Sequence, residues 1–210
     1  MSGGISGTDI KGGKMELKER GQVYDVDPDC SSVKNTEVII KLDLACGDRK
    51  EPGFIGVDHS PLPGVDVVCD LENYPWDIAS NSVFEIRASH YIEHTKDLKA
   101  FMEECYRILV NGGIMTLIAP YYTSIRAFQD YTHVRPISEN TFIYFNQPWL
   151  KSQKLSHYSV ECDYDIESIK YIYGPNWEAR SVEAREWARI HYCNVVVDII
   201  TVLRVVKPRR

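Results

Sequence analysis

The sequence has no long apolar run: the stretch Val195 to Ile200 contains Asp198 and falls far short of the roughly 20 residues that a membrane-spanning helix needs. A soluble protein is therefore expected. Paired cysteines are also missing. Cys30, Cys46, Cys69, Cys105, Cys162 and Cys193 are scattered with no Cys-x-x-Cys among them, which predicts buried thiols and no structural metal. The opening Met-Ser-Gly-Gly-Ile-Ser-Gly lacks the basic start and continuous apolar segment of a secretory signal, so a cytoplasmic location is expected. Basic charge is not in excess, with 24 Lys and Arg against 30 Asp and Glu and a net charge of -6. Such a surface is poorly suited to neutralising many phosphates, and nucleic acid is not the expected partner. Finally, there is no internal repeat and no Gly-x-Gly-x-x-Gly opening a helix, the turn that a nicotinamide-dependent oxidoreductase needs.

What is present is the composition of a folded domain: 210 residues, 44% hydrophobic, 26% charged and 11% aromatic. Residues 1–34 are polar, rich in Gly, Ser, Asp and Lys, and without helical or strand periodicity, so they read as a flexible N-terminal arm. Alternating elements follow. Strands are expected over Val38–Leu44, Phe54–Asp58, Val65–Val68, Phe84–Ala88 and Ile114–Ile118, and a helix over Asp97–Leu109 that ends at Asn111-Gly112-Gly113. Ser138 and Ser181 read as caps of further helices, reaching Phe145 and Ile190. The β-branched run Val195–Val206 predicts a long strand paired antiparallel with Ser168–Tyr173. Lys207-Pro208-Arg209-Arg210 reads as a short solvated basic end. Apolar strands linked by turns and helices indicate an α/β fold with a mainly parallel sheet.

The segment that points to chemistry is Leu42-Asp43-Leu44-Ala45-Cys46-Gly47-Asp48, a strand ending in a turn of small residues. Such a turn lets a ligand approach main-chain N–H groups, as in doubly wound nucleotide-binding sheets. Asp58 ends the next strand, where a carboxylate accepts both hydroxyl hydrogens of a ribose, and Asp70 follows the third, where it is placed to accept an adenine amino group.

These motifs resemble the class I S-adenosylmethionine-dependent methyltransferases, more narrowly the small type 11 methyltransferase-domain proteins. The likeness continues in Val67-Val68-Cys69-Asp70-Leu71, Ala88-Ser89-His90-Tyr91-Ile92-Glu93-His94 and Tyr106-Arg107-Ile108-Leu109-Val110-Asn111-Gly112-Gly113. It implies a Rossmann-like, doubly wound, mainly parallel sheet with an antiparallel C-terminal strand, in a methyltransferase domain over residues 35–210. The implied cofactor is S-adenosylmethionine, bound by Asp43, Ala45, Cys46, Gly47, Asp58, His59, Asp70, Leu71, Ser89 and His90. Asp43 would order the first loop and face the methionine amino group, or simply cap loop N–H groups. Where the family usually has three glycines the chain keeps only Gly47, with Ala45 and Arg49 at the other positions. With nine residues from Ala45 to Gly53, the usual first helix is expected to be shortened to a turn or so.

The polar segment from Phe128 to Pro136 is expected over the same crevice, on the acceptor side. His133 there is a candidate general base with Asp130 orienting it; alternatively Asp130 and Arg135 hold the turn and His133 packs. Glu93 reads as structural, with His94 on the floor of the site, and Tyr121, Tyr122, Tyr131 and Tyr144 as walls of the pocket. The expected activity is methyl transfer to an oxygen or nitrogen of a small-molecule or glycan acceptor. A non-catalytic interaction protein on the same fold is the alternative, with the oxidoreductase behind it.

Overall fold

The computed structural model describes residues 39–210, preceded by a two-residue antiparallel ladder between Tyr24–Asp25 and Lys34–Asn35. The rest of the arm expected over residues 1–34, with Cys30, lies outside the described residues. Seven strands form one sheet: β1 (Ile40–Leu44), β2 (Ile55–Asp58), β3 (Val67–Val68), β4 (Val83–Ser89), β5 (Leu109–Pro120), β6 (Tyr164–Tyr173) and β7 (Val196–Val205). Their order is β3-β2-β1-β4-β5-β7-β6, parallel as far as β5 and antiparallel for β7 and β6. The C-terminal strand β7 runs against the others, as expected, and lies between β5 and β6, antiparallel to both.

Helix α1 (Leu98–Ile108) makes the crossover between β4 and β5. Asp97 caps it by accepting from Ala100 N–H, and Phe101, Met102, Cys105 and Ile108 recur at helical spacing to bury one face. Trp76 packs edge-on against Phe101, and Tyr164 from β6 donates its hydroxyl to Met102 O, so the helix ties the loop before β4 to the far edge of the sheet. Glu104, buried on the same helix, accepts from Trp76 N–H and pairs with Arg107, whose guanidinium also donates to Trp76 O and Ile78 O.

Several local expectations change. No helix lies between β1 and β2: residues 45–54 form only turns, so the first helix is absent rather than shortened. Asn111-Gly112-Gly113 does not separate helix from strand, because β5 starts at Leu109 and the register then jumps from Val83↔Leu109 to Glu85↔Ile114, absorbing the extra residues as a bulge. Ser138 caps no α-helix; its N–H donates to Thr141 Oγ1, and Thr141–Phe145 is a 3-10 turn. Three residues per turn bring Phe142 and Phe145 to the same side, where both are buried. Ser181 does cap α5 (Val182–His191), after three short helices: α2 (Arg126–Gln129), α3 (Gln147–Ser152) and α4 (Pro175–Glu178). Among the described residues no helix is long and apolar enough to cross a membrane.

The basic end is anchored, not solvated. Lys207 Nζ donates to Asn81 Oδ1 and Leu109 O, and burial, reinforced by Arg107, pushes its pKa down to about 8. Arg210 donates through its backbone N–H, Nε and Nη2 to the fully buried Asp163, which also receives Gln147 N–H. Burial raises the Asp163 carboxyl, but the Arg210 hydrogen bonds outweigh it and hold the group below the ordinary aspartate range. A carboxyl depressed in the folded state contributes stability above its unfolded pKa and loses it as pH falls through the folded value. Arg210→Ala should therefore destabilise the fold by about 2 kcal/mol at pH 7, after discounting for the partly exposed guanidinium. Urea unfolding of both proteins checks this, and the difference should begin to shrink below about pH 4, the unfolded aspartate range, and disappear as pH falls through the lower folded value.

Candidate functional site

The parallel strands end together at one edge, where the strand order reverses between β1 and β4. Leu44 pairs with Ala88, so Ala45 and Ser89 leave the sheet side by side at this switch point. The chain then turns through two positive φ values, 53° at Ala45 and 56° at Gly47. Alanine is strained there by about 1–2 kcal/mol, whereas glycine is not. His90, the first residue beyond β4, also has φ 56°, which turns the chain away from the sheet.

Without a helix to pair its N–H groups, the loop from 45 to 54 is held by carboxylates. Asp58 Oδ2 accepts from Gly47 N–H at 2.9 Å and its Oδ1 from Ser60 N–H at 2.9 Å, with exposed His59 Nδ1 3.1 Å from Oδ1. Fully buried Asp43 accepts from Glu51 N–H at 2.7 Å and lies 3.2 Å from Arg87 Nη1, its register partner on β4. Asp66 accepts from Gly56 N–H and pairs with Lys50. A Cβ on Gly56 would come within 2.7 Å of Lys50 Cδ and 2.8 Å of Gly64 O, so only glycine lets these turns stack. Burial, followed by the charges of Asp43 and Asp58, pushes the Cys46 thiol up to about 11, leaving it protonated at neutral pH. Asp70 is exposed and receives Glu72 N–H and Asn73 Nδ2, while Leu71 is buried and its carbonyl accepts from Trp76 Nε1.

The second half of the site joins the turn after β4 to the segment after β5. Val134 N–H donates to Glu93 O, and Arg135 donates to Ile92 O, Thr95 O and Lys96 O. Arg135 therefore clamps the turn at 92–96 and forms no pair with Asp130. His133 is also oriented differently from the sequence expectation. Its Nδ1 donates to Ala127 O at 3.1 Å, and Asp130 Oδ2 stands 4.0 Å from Nε2, beyond hydrogen-bond reach. Asp130 is occupied by Thr132, whose Oγ1 and N–H donate to it and hold its carboxyl below the usual range. His94 Nδ1 lies 2.9 Å from Thr132 Oγ1, and its ring meets that of His133 edge-on with centroids 4.6 Å apart.

Other site residues divide. His90 Nδ1 approaches Glu93 Oε1 at 3.3 Å and its Nε2 approaches Asp198 Oδ2 at 4.0 Å, so His90 bridges the ends of β4 and β7. The tyrosines do not form a common wall: Tyr121 is buried and hydrogen-bonded to Glu139, Tyr131 is 97% exposed, and Tyr144 packs on Trp149 and Tyr158. Glu93 is more than the helix-start residue that its neighbours in sequence suggested, because it faces two histidines. Sequence reasoning gave Arg87 no role in the site and gave Arg135 a partner within its own turn, Asp130, whereas the partners of both lie more than 35 residues away.

No protein-family model matches the chain, and none of the curated proteins does. Solved structures do match in fold. A SAM-dependent methyltransferase from Archaeoglobus fulgidus aligns at 20% identity over 80% of this chain and 87% of its own, with a TM-score of 0.53. A SAM-dependent methyltransferase from Thermotoga maritima aligns at 14% identity, over 80% and 82%, with a TM-score of 0.51. Geranyl diphosphate C-methyltransferase from Streptomyces coelicolor, in complex with Mg2+, geranyl diphosphate and S-adenosyl-L-homocysteine, aligns at 14% identity over 81% and 73%, with a TM-score of 0.51. The chain thus has the Rossmann-like fold of the class I methyltransferases.

Because Arg135 is what holds the turn carrying Glu93 and His94, Arg135→Ala should loosen that turn in particular. We expect a loss of about 2 kcal/mol in global stability. Amide hydrogen exchange should show faster exchange near residues 92–96 and little change in β7.

Proposed function

We propose that the chain is an S-adenosylmethionine-dependent methyltransferase acting on an oxygen or nitrogen of a small-molecule or glycan acceptor. The observation that carries this is Asp58: a nearly buried carboxylate at the end of β2, drawn to the backbone of the Ala45–Gly47 turn at the switch point. Each of its oxygens accepts one loop N–H and keeps a lone pair, which suits the two adjacent hydroxyls of a ribose. Exposed His59 is free to swing from Oδ1 as a ligand enters.

S-adenosylmethionine supplies a sulfonium-activated methyl group that can be displaced in one step. In our reading Asp58 holds the ribose, the backbone of Ala45, Cys46 and Gly47 lines the approach, and Asp70 with Leu71 lies on the adenine side. Ser89 and His90 border the methyl-transfer region. Asp43 acts through the loop, because it has no exposed surface and both oxygens are engaged. The segment 130–135 closes the acceptor side and presents His133 there, held by Ala127 in place of Asp130. Catalysis then rests mainly on positioning the acceptor in line with the methyl group.

Calorimetry with S-adenosylhomocysteine tests the assignment. Asp58→Ala should weaken binding by about 1.5–3 kcal/mol, the loss of a charged hydrogen-bond acceptor. Asp58→Asn keeps an oxygen for Gly47 N–H and should preserve the fold while still losing tenfold or more in affinity. Wild-type protein that does not bind S-adenosylhomocysteine, or an Asp58→Asn variant that binds equally well, would refute the reading.

A further inference from the structure

Glu93, His94 and His133 offer one ligand atom each within 4.8 Å of one another, although His133 is 39 residues further along the chain than His94. The hydrogen bonds around them fix which atoms are available. Ala127 O can only accept, so the neutral His133 imidazole carries its proton on Nδ1 and has its lone pair on Nε2. Thr132 Oγ1 has a single hydrogen, which it gives to Asp130 at 2.6 Å; it must therefore accept from His94 Nδ1, and the neutral His94 imidazole likewise has its lone pair on Nε2. Orienting Nδ1 in this way while leaving Nε2 unprotonated is the arrangement seen around metal-bound histidines.

Glu93 supplies an independent observation. Its side chain is 2% exposed, yet neither Oε1 nor Oε2 has a hydrogen-bond partner. His90 Nδ1 stands 3.3 Å from Oε1 but does not meet hydrogen-bond geometry. An unpartnered buried carboxylate is costly, and a cation removes that cost.

We infer that Glu93, His94 and His133 bind a divalent first-row metal ion, such as Zn2+ or Mn2+, with coordination positions left open toward the acceptor. Two imidazoles and one carboxylate suit such ions, and the set is too nitrogen-rich for Mg2+ or Ca2+. Ligand atoms around a tetrahedral ion lie about 3.3 Å apart, so binding draws the three groups together. The expectation of no structural metal rested on cysteine spacing and carried no information about this set.

The role of the ion rests on the methyltransferase reading and narrows the acceptor to a hydroxyl compound. A hydroxyl bound at an open position is a stronger acid and loses its proton to solvent. The resulting oxygen lone pair forms the new C–O bond while the C–S bond breaks with its electron pair remaining on sulfur, giving a methyl ether and S-adenosylhomocysteine. The site thus favours O-methylation, since a metal-bound amine has committed the lone pair it needs for attack.

The test uses the full untagged chain, Co2+ as the optical probe and Zn2+ as competitor. One Co2+ per chain should bind, with a visible absorption band that Zn2+ abolishes. His94→Ala and His133→Ala should each weaken binding tenfold or more, whereas His157→Ala, outside the cluster, should not. Glu93→Gln should do the same, and if it fails to fold by circular dichroism the two histidine variants decide the matter. Absence of stoichiometric binding, or equal binding by His94→Ala and wild type, overturns the site. Calorimetry with S-adenosylhomocysteine on the same samples keeps the two readings apart: Co2+ binding without it supports the metal site and refutes the methyltransferase, and the reverse refutes the metal site alone.

Discussion

The loop between β1 and β2 contains no helix to give its backbone a rigid hydrogen-bonding frame, and carboxylates perform that task. Asp43 and Asp58 accept the N–H groups of Glu51 and Gly47, and Asp66 accepts that of Gly56. Each carboxylate sits at or near the end of a parallel strand, so the sheet itself sets the shape of the turn. The positive φ values at Ala45 and Gly47 persist because these anchors hold both sides of them. Arg87 supplies the balancing charge for Asp43 across the β1–β4 register.

A comparable economy operates at the other end of the crevice. Arg135 ties the segment after β5 to the turn after β4 through three carbonyls, and Val134 adds a backbone hydrogen bond. That clamp brings Glu93 and His94 to face His133. The orientation of both histidines is then set by neighbours that have no other freedom: a carbonyl that only accepts, and a hydroxyl whose hydrogen is already given to Asp130.

The two halves of the site differ in how they handle charge. In the first half every carboxylate is matched by backbone donors or a guanidinium. In the second half both oxygens of buried Glu93 lack a hydrogen-bond partner, with the His90 ring 3.3 Å from one of them. The anchored basic end shows the ordinary solution, with Arg210 and Gln147 together satisfying Asp163.

Much of the fold was legible in the chain. Apolar strands ending at Leu44, Asp58 and Ala88 marked the mainly parallel sheet, and apolar residues at helical spacing between Asp97 and Leu109 marked α1, because strand patterning and helical spacing are local properties. The residues clustered at the strand ends were also legible, since topology puts those ends at one edge of any such sheet. What the chain could not show was the partner of each polar side chain. Asp130 is near His133 in sequence, yet it stands 4.0 Å from Nε2 without a hydrogen bond, because Thr132 takes its oxygen and Ala127 O takes the ring's Nδ1. Arg135 finds carbonyls some 40 residues away, Tyr121 and Tyr122 pack on each other while Tyr144 packs on Trp149 and Tyr131 is exposed, and the basic end folds back onto Asp163. Sequence by itself determined the main strands, α1 and the edge where the candidate site lies; only the tertiary structure decided which donors and acceptors meet there, because hydrogen bonds depend on ångström-scale placement that no periodicity encodes.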